Sequence, residues 1–479
     1  MTLSTRSRLQ VRIIELPHVV DPLDVYLRLP RPGRMLLESS DTAHPGGRWS
    51  FVLGFPLLGL ESRGDRVTLS SAAGRRELRA DPLEVMRQEL AGLAVEDLPD
   101  GAPPLVGGWA GAFSYDLGRS FERLPVIARD DLRLPDITAS LFGAVVALDS
   151  LEKTTFLVVL ERDGRPLAGE TTVGRLLEAV TAAREEPHRL SIAQGPVRAE
   201  LPPVADISRL TYLACVRRVK HHIREGDIYQ ANFTQRFRTR FNGTPAELHA
   251  RLRAVNPAPF AALLEAGDGL AVVSASPERF LQVEHGLVTS RPIKGTRKRT
   301  GDVDADLLRA RELLASEKDG AELAMIVDLV RNDLGRVCRT GSVKVERARE
   351  LEQHPTVLHL VATVTGQLAE GRDVFDLLRA SFPGGSITGA PKIRAMEIIE
   401  ELEGVRRGFY TGSLGYLSAC GRADLSIAIR TAILRGHDVF FSAGGGIVAD
   451  SEPEAEHAET LDKVSGLVRA LGHEEVLIP

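Results

Sequence analysis

Cysteine is scarce in this sequence: 479 residues hold three, Cys215, Cys338 and Cys420, far apart and in ordinary contexts. That count and spacing indicate neither a disulfide framework nor a cysteine zinc site. Also missing is an apolar run long enough for a membrane span or a secretory leader. The N-terminal MTLSTRSRLQVRIIELPHVVD is too polar for either, so the expected compartment is the cytoplasm. Basic excess is absent too. Lys and Arg number 60 against 65 Asp and Glu, a net charge of -5, which argues against a general nucleic-acid role. There is no P-loop or dinucleotide fingerprint, no repeat of 20 to 50 residues and no low-complexity segment.

What remains is a globular composition, 43% hydrophobic and 26% charged, long enough for two or three domains or one large core. Residues 1–185 read as a β-rich region: Leu9 to about Glu161 shows short β-like runs (VYLRL, RWSFVLGF, LFGAVVAL, TTFLVVL) broken by Pro and Gly, with one amphipathic helix near Pro82 to Leu93, and a further helix reads from about Thr171. A Pro- and charge-containing connector at 186–206 separates them from a region at 207–470 in which strands alternate with longer helices.

Four constellations in the second region carry chemistry. The turn SRPIKGTRKR, residues 290–299, sets Lys294 between a proline and a glycine, near Arg291, Arg297, Lys298 and Arg299. Alone, such a run is a solvated face. A lysine becomes nucleophilic only on losing its proton, which neighbouring cations and desolvation favour, and these four cations are expected to supply the first. In SEKDGAELAMIVDLVRNDLGRV, residues 316–337, Leu323, Met325, Ile326, Leu329 and Val330 make a helical stripe capped by Ser316, with Asp319 and Glu322 on one face. DSEPEAEHAETLDKV, residues 450–464, repeats that spacing at Glu456 and Glu459, just after Gly444, Gly445 and Gly446. Acidic residues at helix starts also answer the helix dipole without a ligand. Two helices with paired carboxylates nevertheless suit a hard divalent cation such as Mg2+, with one inner ligand from each. Lastly, SFPGGSITGAPKIRAMEIIEELEG, residues 381–404, leads through Ser386 and Thr388 into a helix begun by Pro391, a place for an anion or merely a helix start. Beyond it Tyr410 and Arg430 fall in strand-like runs, where an arginine should have a carboxylate partner.

Five segments in order, GDIYQANFTQRF, SPERF, RPIKGT, KDGAELAMIVDLVRND, and SITGAPK through GGGIVADSEPEAE, resemble the chorismate-utilising enzymes from about Ser208 to Val464, with weaker likeness earlier. The resemblance implies an α+β fold, two orthogonally packed antiparallel β-sheets flanked by helices with the site between them. It also implies that both halves share one globule. Lys294 resembles the branch that forms aminodeoxychorismate for 4-aminobenzoate and folate synthesis, since anthranilate-forming members have alanine there. Members that use water have lysine where this chain has Gln230. The alternative is an anthranilate-forming enzyme that carries lysine.

The same resemblance implies roles. Lys294 attacks ring carbon 2 while Glu278 is the general acid, and His359 lines the site in a positioning role. Glu322 and Glu459 hold Mg2+, supported by Asp319 and Glu456. Arg430, Tyr410 and the backbone at Gly446 take the enolpyruvyl carboxylate, and Thr388, Gly389 and Thr296 touch substrate near the ring. Glu38 and Ser39, in MLLESSDTAHPGGRWSFVLGF, match a tryptophan pocket. Ammonia is expected from a separate glutamine amidotransferase subunit, because the chain has no Gly-x-Cys-x-Gly elbow of its own.

Overall fold

The computed structural model describes residues 9–16, 18–42, 44, 46–95, 97–187, 199–354 and 357–479. Among these, the named strands pair only in antiparallel fashion, in two sheets of 13 and 12 strands. Alternation of buried side chains explains how the sheets stack. In Trp49–Leu53, Phe260–Glu265 and Leu270–Ser276, the residues Phe51, Leu53, Leu264 and Val272 join the core shared with the second sheet. Their neighbours Val52, Leu263 and Val273 point the other way, onto a second core with helices Glu170–Glu185, Pro245–Val255 and Pro453–Ala470. Strands buried on both faces read as continuous apolar runs, as these do.

Each half of the chain supplies a contiguous block of each sheet. In the first sheet Arg34–Glu38 of the N-terminal half pairs with Phe260–Glu265, and in the second Gly108–Phe113 pairs with Ser413–Ser418. The connector at 186–206 is therefore a boundary between blocks of shared sheets; its residues 188–198 lie outside the described ones. No described helix is long and apolar enough to cross a membrane.

Two crossings between the sheets position the site. Leu270–Ser276 in the first sheet continues into Arg279–Glu284 in the second, and Ala423–Ile427 in the second returns as Thr431–Arg435 in the first. The corners are tied together: Ile427 N–H donates to the Glu278 carbonyl (3.0 Å) and Ala275 N–H to the Arg430 carbonyl (3.1 Å). Glu278 and Arg430 sit on these corners. Arg430 thus lies outside a strand, contrary to the strand reading, with φ +52°. A positive φ in a non-glycine residue is uncommon and clusters at functional sites.

Candidate active site

A cleft of about 870 Å³ opens between the sheets and the acidic helices, and Glu278, Lys294, Glu322, Arg430, Glu456 and Glu459 all line it. Lys294 lies on strand Ile293–Lys298, whose pairing with Val357–Gln367 slips by one residue at Gly295 (φ +71°). Such a bulge re-aims a side chain. The Lys294 ammonium donates to the Ser386 carbonyl (3.0 Å), and a Cβ placed on Gly446 would come within 3.3 Å of it. On Gly445 a Cβ would meet Glu456 Oε2 at 2.9 Å and Glu459 Oε1 and Lys463 Nζ at 3.8 Å. The glycines after strand residue Ala443 are thus what lets the amine and the carboxylates approach one backbone.

Burial drives the Lys294 pKa down, against the pull of Glu322 and Glu278; Lys463 adds to the depression. Three of the four neighbouring cations expected to do this are neutralised instead: Arg291 faces Glu352 (3.4 Å), Arg297 binds Asp319 (2.8 Å) and Arg299 binds Asp306 (3.1 Å), while Lys298 is exposed. Desolvation, rather than the basic run, frees the amine. Burial pushes Glu278 up to about 7, opposed by the Ser386 hydroxyl and Lys294, so this carboxyl holds a proton near neutrality. An amine whose pKa is drawn down and a carboxyl whose pKa is pushed up in one cleft are a matched nucleophile and proton donor.

The acidic residues fit a hard cation by their chemistry, all four offering oxygen only. Glu322 and Glu456 have carboxyls raised first by burial, and like charge adds to it, from Asp319 and Glu456 in the one case and Glu459 in the other. Glu322 has only Lys318, at 4.0 Å, as an ion-pair partner among the described residues. Ser451 donates to Glu456 (2.6 Å), and Lys463 pairs with Glu459 (2.7 Å), whose carboxyl it holds below the ordinary value against the effect of burial. These carboxylates surround a common space without closing on one point.

Arg430, half-buried, has no carboxylate partner among the described residues, and burial lowers its pKa while the Tyr410 hydroxyl faces it. A desolvated guanidinium left unpaired in a cleft is a receptor for a ligand carboxylate. Thr296 lines the cleft and its hydroxyl meets His359 Nδ1 (3.0 Å). Burial drives His359 down to about 3, so the ring is neutral; its buried Nε2 has no hydrogen-bond partner among the described residues.

Some expectations change. Thr388 and Gly389 lie behind the cleft: the Thr388 hydroxyl donates to the Gly384 carbonyl (3.0 Å), and Gly389 pairs with Ala231. Ser386 and Ile387 line the cleft in their place. Glu38 is committed to His249 (2.7 Å) and Arg253 (2.8 Å), while the buried Ser39 hydroxyl has no hydrogen-bond partner among the described residues. Lys463 escaped the sequence reading, although its place four residues after Glu459 on one helix puts the two on the same face.

The chain belongs to the chorismate binding enzyme family, whose pattern matches residues 41–469. Within that class it is similar to aminodeoxychorismate synthase component 1 of Salmonella typhimurium, 43% identical over 441 residues (92% of this chain, 93% of the relative). It is 40% identical to anthranilate synthase component 1 of Mycobacterium tuberculosis over 472 residues (95% and 91%). The crystal structure of anthranilate synthase component I from Streptococcus pneumoniae TIGR4 superposes with a TM-score of 0.76 at 31% identity, covering 94% of this chain and 98% of that one.

Proposed function

We propose that this chain aminates chorismate at C4, giving 4-amino-4-deoxychorismate, as the synthase component that a glutamine amidotransferase supplies with ammonia. The observation that carries the reading is Lys294: an amine desolvated in the cleft, facing Glu278 and the acidic helices. In this reading Lys294 adds to ring carbon 2 and both double bonds of the ring diene shift. The C4–oxygen bond breaks as Glu278 delivers its proton, so water leaves. Ammonia then forms the C4–nitrogen bond, both double bonds return and the C2–lysine bond breaks. The proton shed by the new amine goes back to Glu278.

Glu322 and Glu459 would hold Mg2+, with Asp319 and Glu456 beside them. When bound, the ion would neutralise a substrate carboxylate. Arg430, with Tyr410 beside it, binds the other carboxylate. His359 and Thr296 orient the ring from the side. Tryptophan at the Glu38–Ser39 segment would find a hydroxyl at Ser39 and no free carboxylate at Glu38.

The test is chromatographic identification of the product from chorismate, ammonium and Mg2+, before and after adding a lyase that releases 4-aminobenzoate. Wild type should give 4-aminobenzoate only with the lyase. Lys294→Ala should lose C4 amination, and Glu278→Gln should slow it about 10²–10⁴-fold. Fluorescent anthranilate formed without the lyase, or full C4 amination by Lys294→Ala, would overturn the reading.

A further inference from the structure

Behind the cleft wall, Arg407 uses its whole guanidinium inside the protein. Nε and Nη2 donate to the two oxygens of Glu403 (2.8 and 2.7 Å), a bidentate pair. Nη1 also donates to the Ile387 carbonyl (2.9 Å) and, at longer range, to Thr411 Oγ1 (3.4 Å), while Nη2 reaches the Asn232 carbonyl (2.5 Å). The side chain is 3% exposed, with its carbon 4.7 Å from the Tyr115 ring centre. Glu403 in turn accepts from the N–H and the hydroxyl of Thr234 (2.9 and 2.8 Å). One cation therefore joins the strand Gln230–Arg240, the 3-10 turn Gly385–Ile387 and the turn that carries Tyr410.

The turn is tied from two sides. Within it Thr388 donates from its N–H to the Gly385 carbonyl (3.3 Å) and from its hydroxyl to the Gly384 carbonyl (3.0 Å), and Arg407 adds the tie at Ile387 from outside. Ser386 touches both reacting groups: its carbonyl accepts from the Lys294 amine (3.0 Å) and its hydroxyl sits against the Glu278 carboxyl. The Arg407 bond to Ile387 holds the residue immediately after Ser386. A planar fork with fixed donor directions suits this task, where a point charge would not.

We infer that Arg407 is a positioning residue for the amination step. By clamping the Gly385–Ile387 turn to strand Gln230–Arg240, it fixes the Ser386 atoms against which Lys294 and Glu278 rest. The inference depends on the proposed roles of those two groups. It assigns the effect to the chemical step, since Arg430 and the acidic helices do not touch Arg407, and Tyr410 is tied to it through a backbone N–H on the Arg407 carbonyl (3.3 Å), a bond that Arg407→Lys keeps.

Arg407→Lys tests this, because it keeps a cation beside Glu403 but cannot reach both carbonyls and the carboxylate in one plane. With saturating ammonium and Mg2+, its kcat should fall about 10–100-fold while the KM for chorismate stays within about threefold, as expected when reacting groups are misplaced by a fraction of an ångström. Glu403→Gln, which loosens the fork from its other side, should move kcat in the same direction. A folded Arg407→Lys enzyme with kcat within about twofold of wild type, or with kcat and chorismate affinity lost together, overturns the positioning role. Should Arg407→Lys fail to fold, Glu403→Gln alone decides by the same split. Product identity is read on wild type, so release of anthranilate would sink the proposed function while the kcat and KM of the variants still judge Arg407.

Discussion

At the scale of single residues, Glu278 shows what burial does to a carboxyl and what that costs. Its pKa moves from 4.5 to about 7, with burial as the largest cause. Between those two pH values the folded chain keeps a proton that the unfolded chain releases, so stability falls as pH rises through this window and is constant above it. The loss amounts to about 3 kcal/mol. Glu278→Gln removes it: relative to wild type, the variant's urea-unfolding free energy should gain about 3 kcal/mol on going from about pH 4 to about pH 8. A difference independent of pH would show that Glu278 is not held neutral. SPERF singled out Glu278 in the sequence, but its raised pKa was not legible there, because only the tertiary corner withdraws it from water. Likewise Lys294 stood out in the sequence for its cationic neighbours, whereas the fold pairs three of the four, Arg291, Arg297 and Arg299, with Glu352, Asp319 and Asp306, and burial is the largest cause of its depression.

At the scale of elements, the amphipathic helices were easiest to see. Ser316 caps Glu317–Gly335 as its spacing predicts, and the pairs Asp319/Glu322 and Glu456/Glu459 reach one cleft. Corners and bulges were harder, since a chain passing between sheets keeps its period-2 pattern, as at Arg430. Gly295 is the bulge that matters most. Its φ of +71° suits glycine alone, and a Cβ there would meet Leu313 Cδ1 at 2.9 Å and Asp319 Cβ at 3.0 Å. Gly295→Ala should therefore destabilise by about 1–3 kcal/mol. Lys294 and Thr296, which flank it, should move with the strain, so kcat should drop even in the fully folded variant. Thermal unfolding alongside steady-state assays checks this; a variant as stable and as active as wild type would show that the bulge is not required.

At the scale of the molecule, the composition shift near 185–206 marks something real without marking a domain. All the cleft-lining residues lie after it, from Asn232 to Glu474. Yet the sheets are completed across it by two ladders, Arg34–Glu38 on Phe260–Glu265 and Gly108–Phe113 on Ser413–Ser418, and the largest core mixes side chains from both halves. Local patterns could show where strands lie but not which distant strands pair, because pairing partners more than two hundred residues apart share no short-range signal. Separating the halves would expose both ladders as open edges; every residue of Ser413–Ser418 is buried in the intact chain. Such edges seek other chains. Residues 199–479 produced alone should therefore aggregate or fail to turn over chorismate, despite holding the entire cleft. Co-produced with residues 1–187, they should recover a one-to-one complex by size-exclusion chromatography, with ammonia-dependent activity. A monomeric and active 199–479 fragment would mean that the first half is dispensable to the site, and that the two ladders attach it without supporting the cleft.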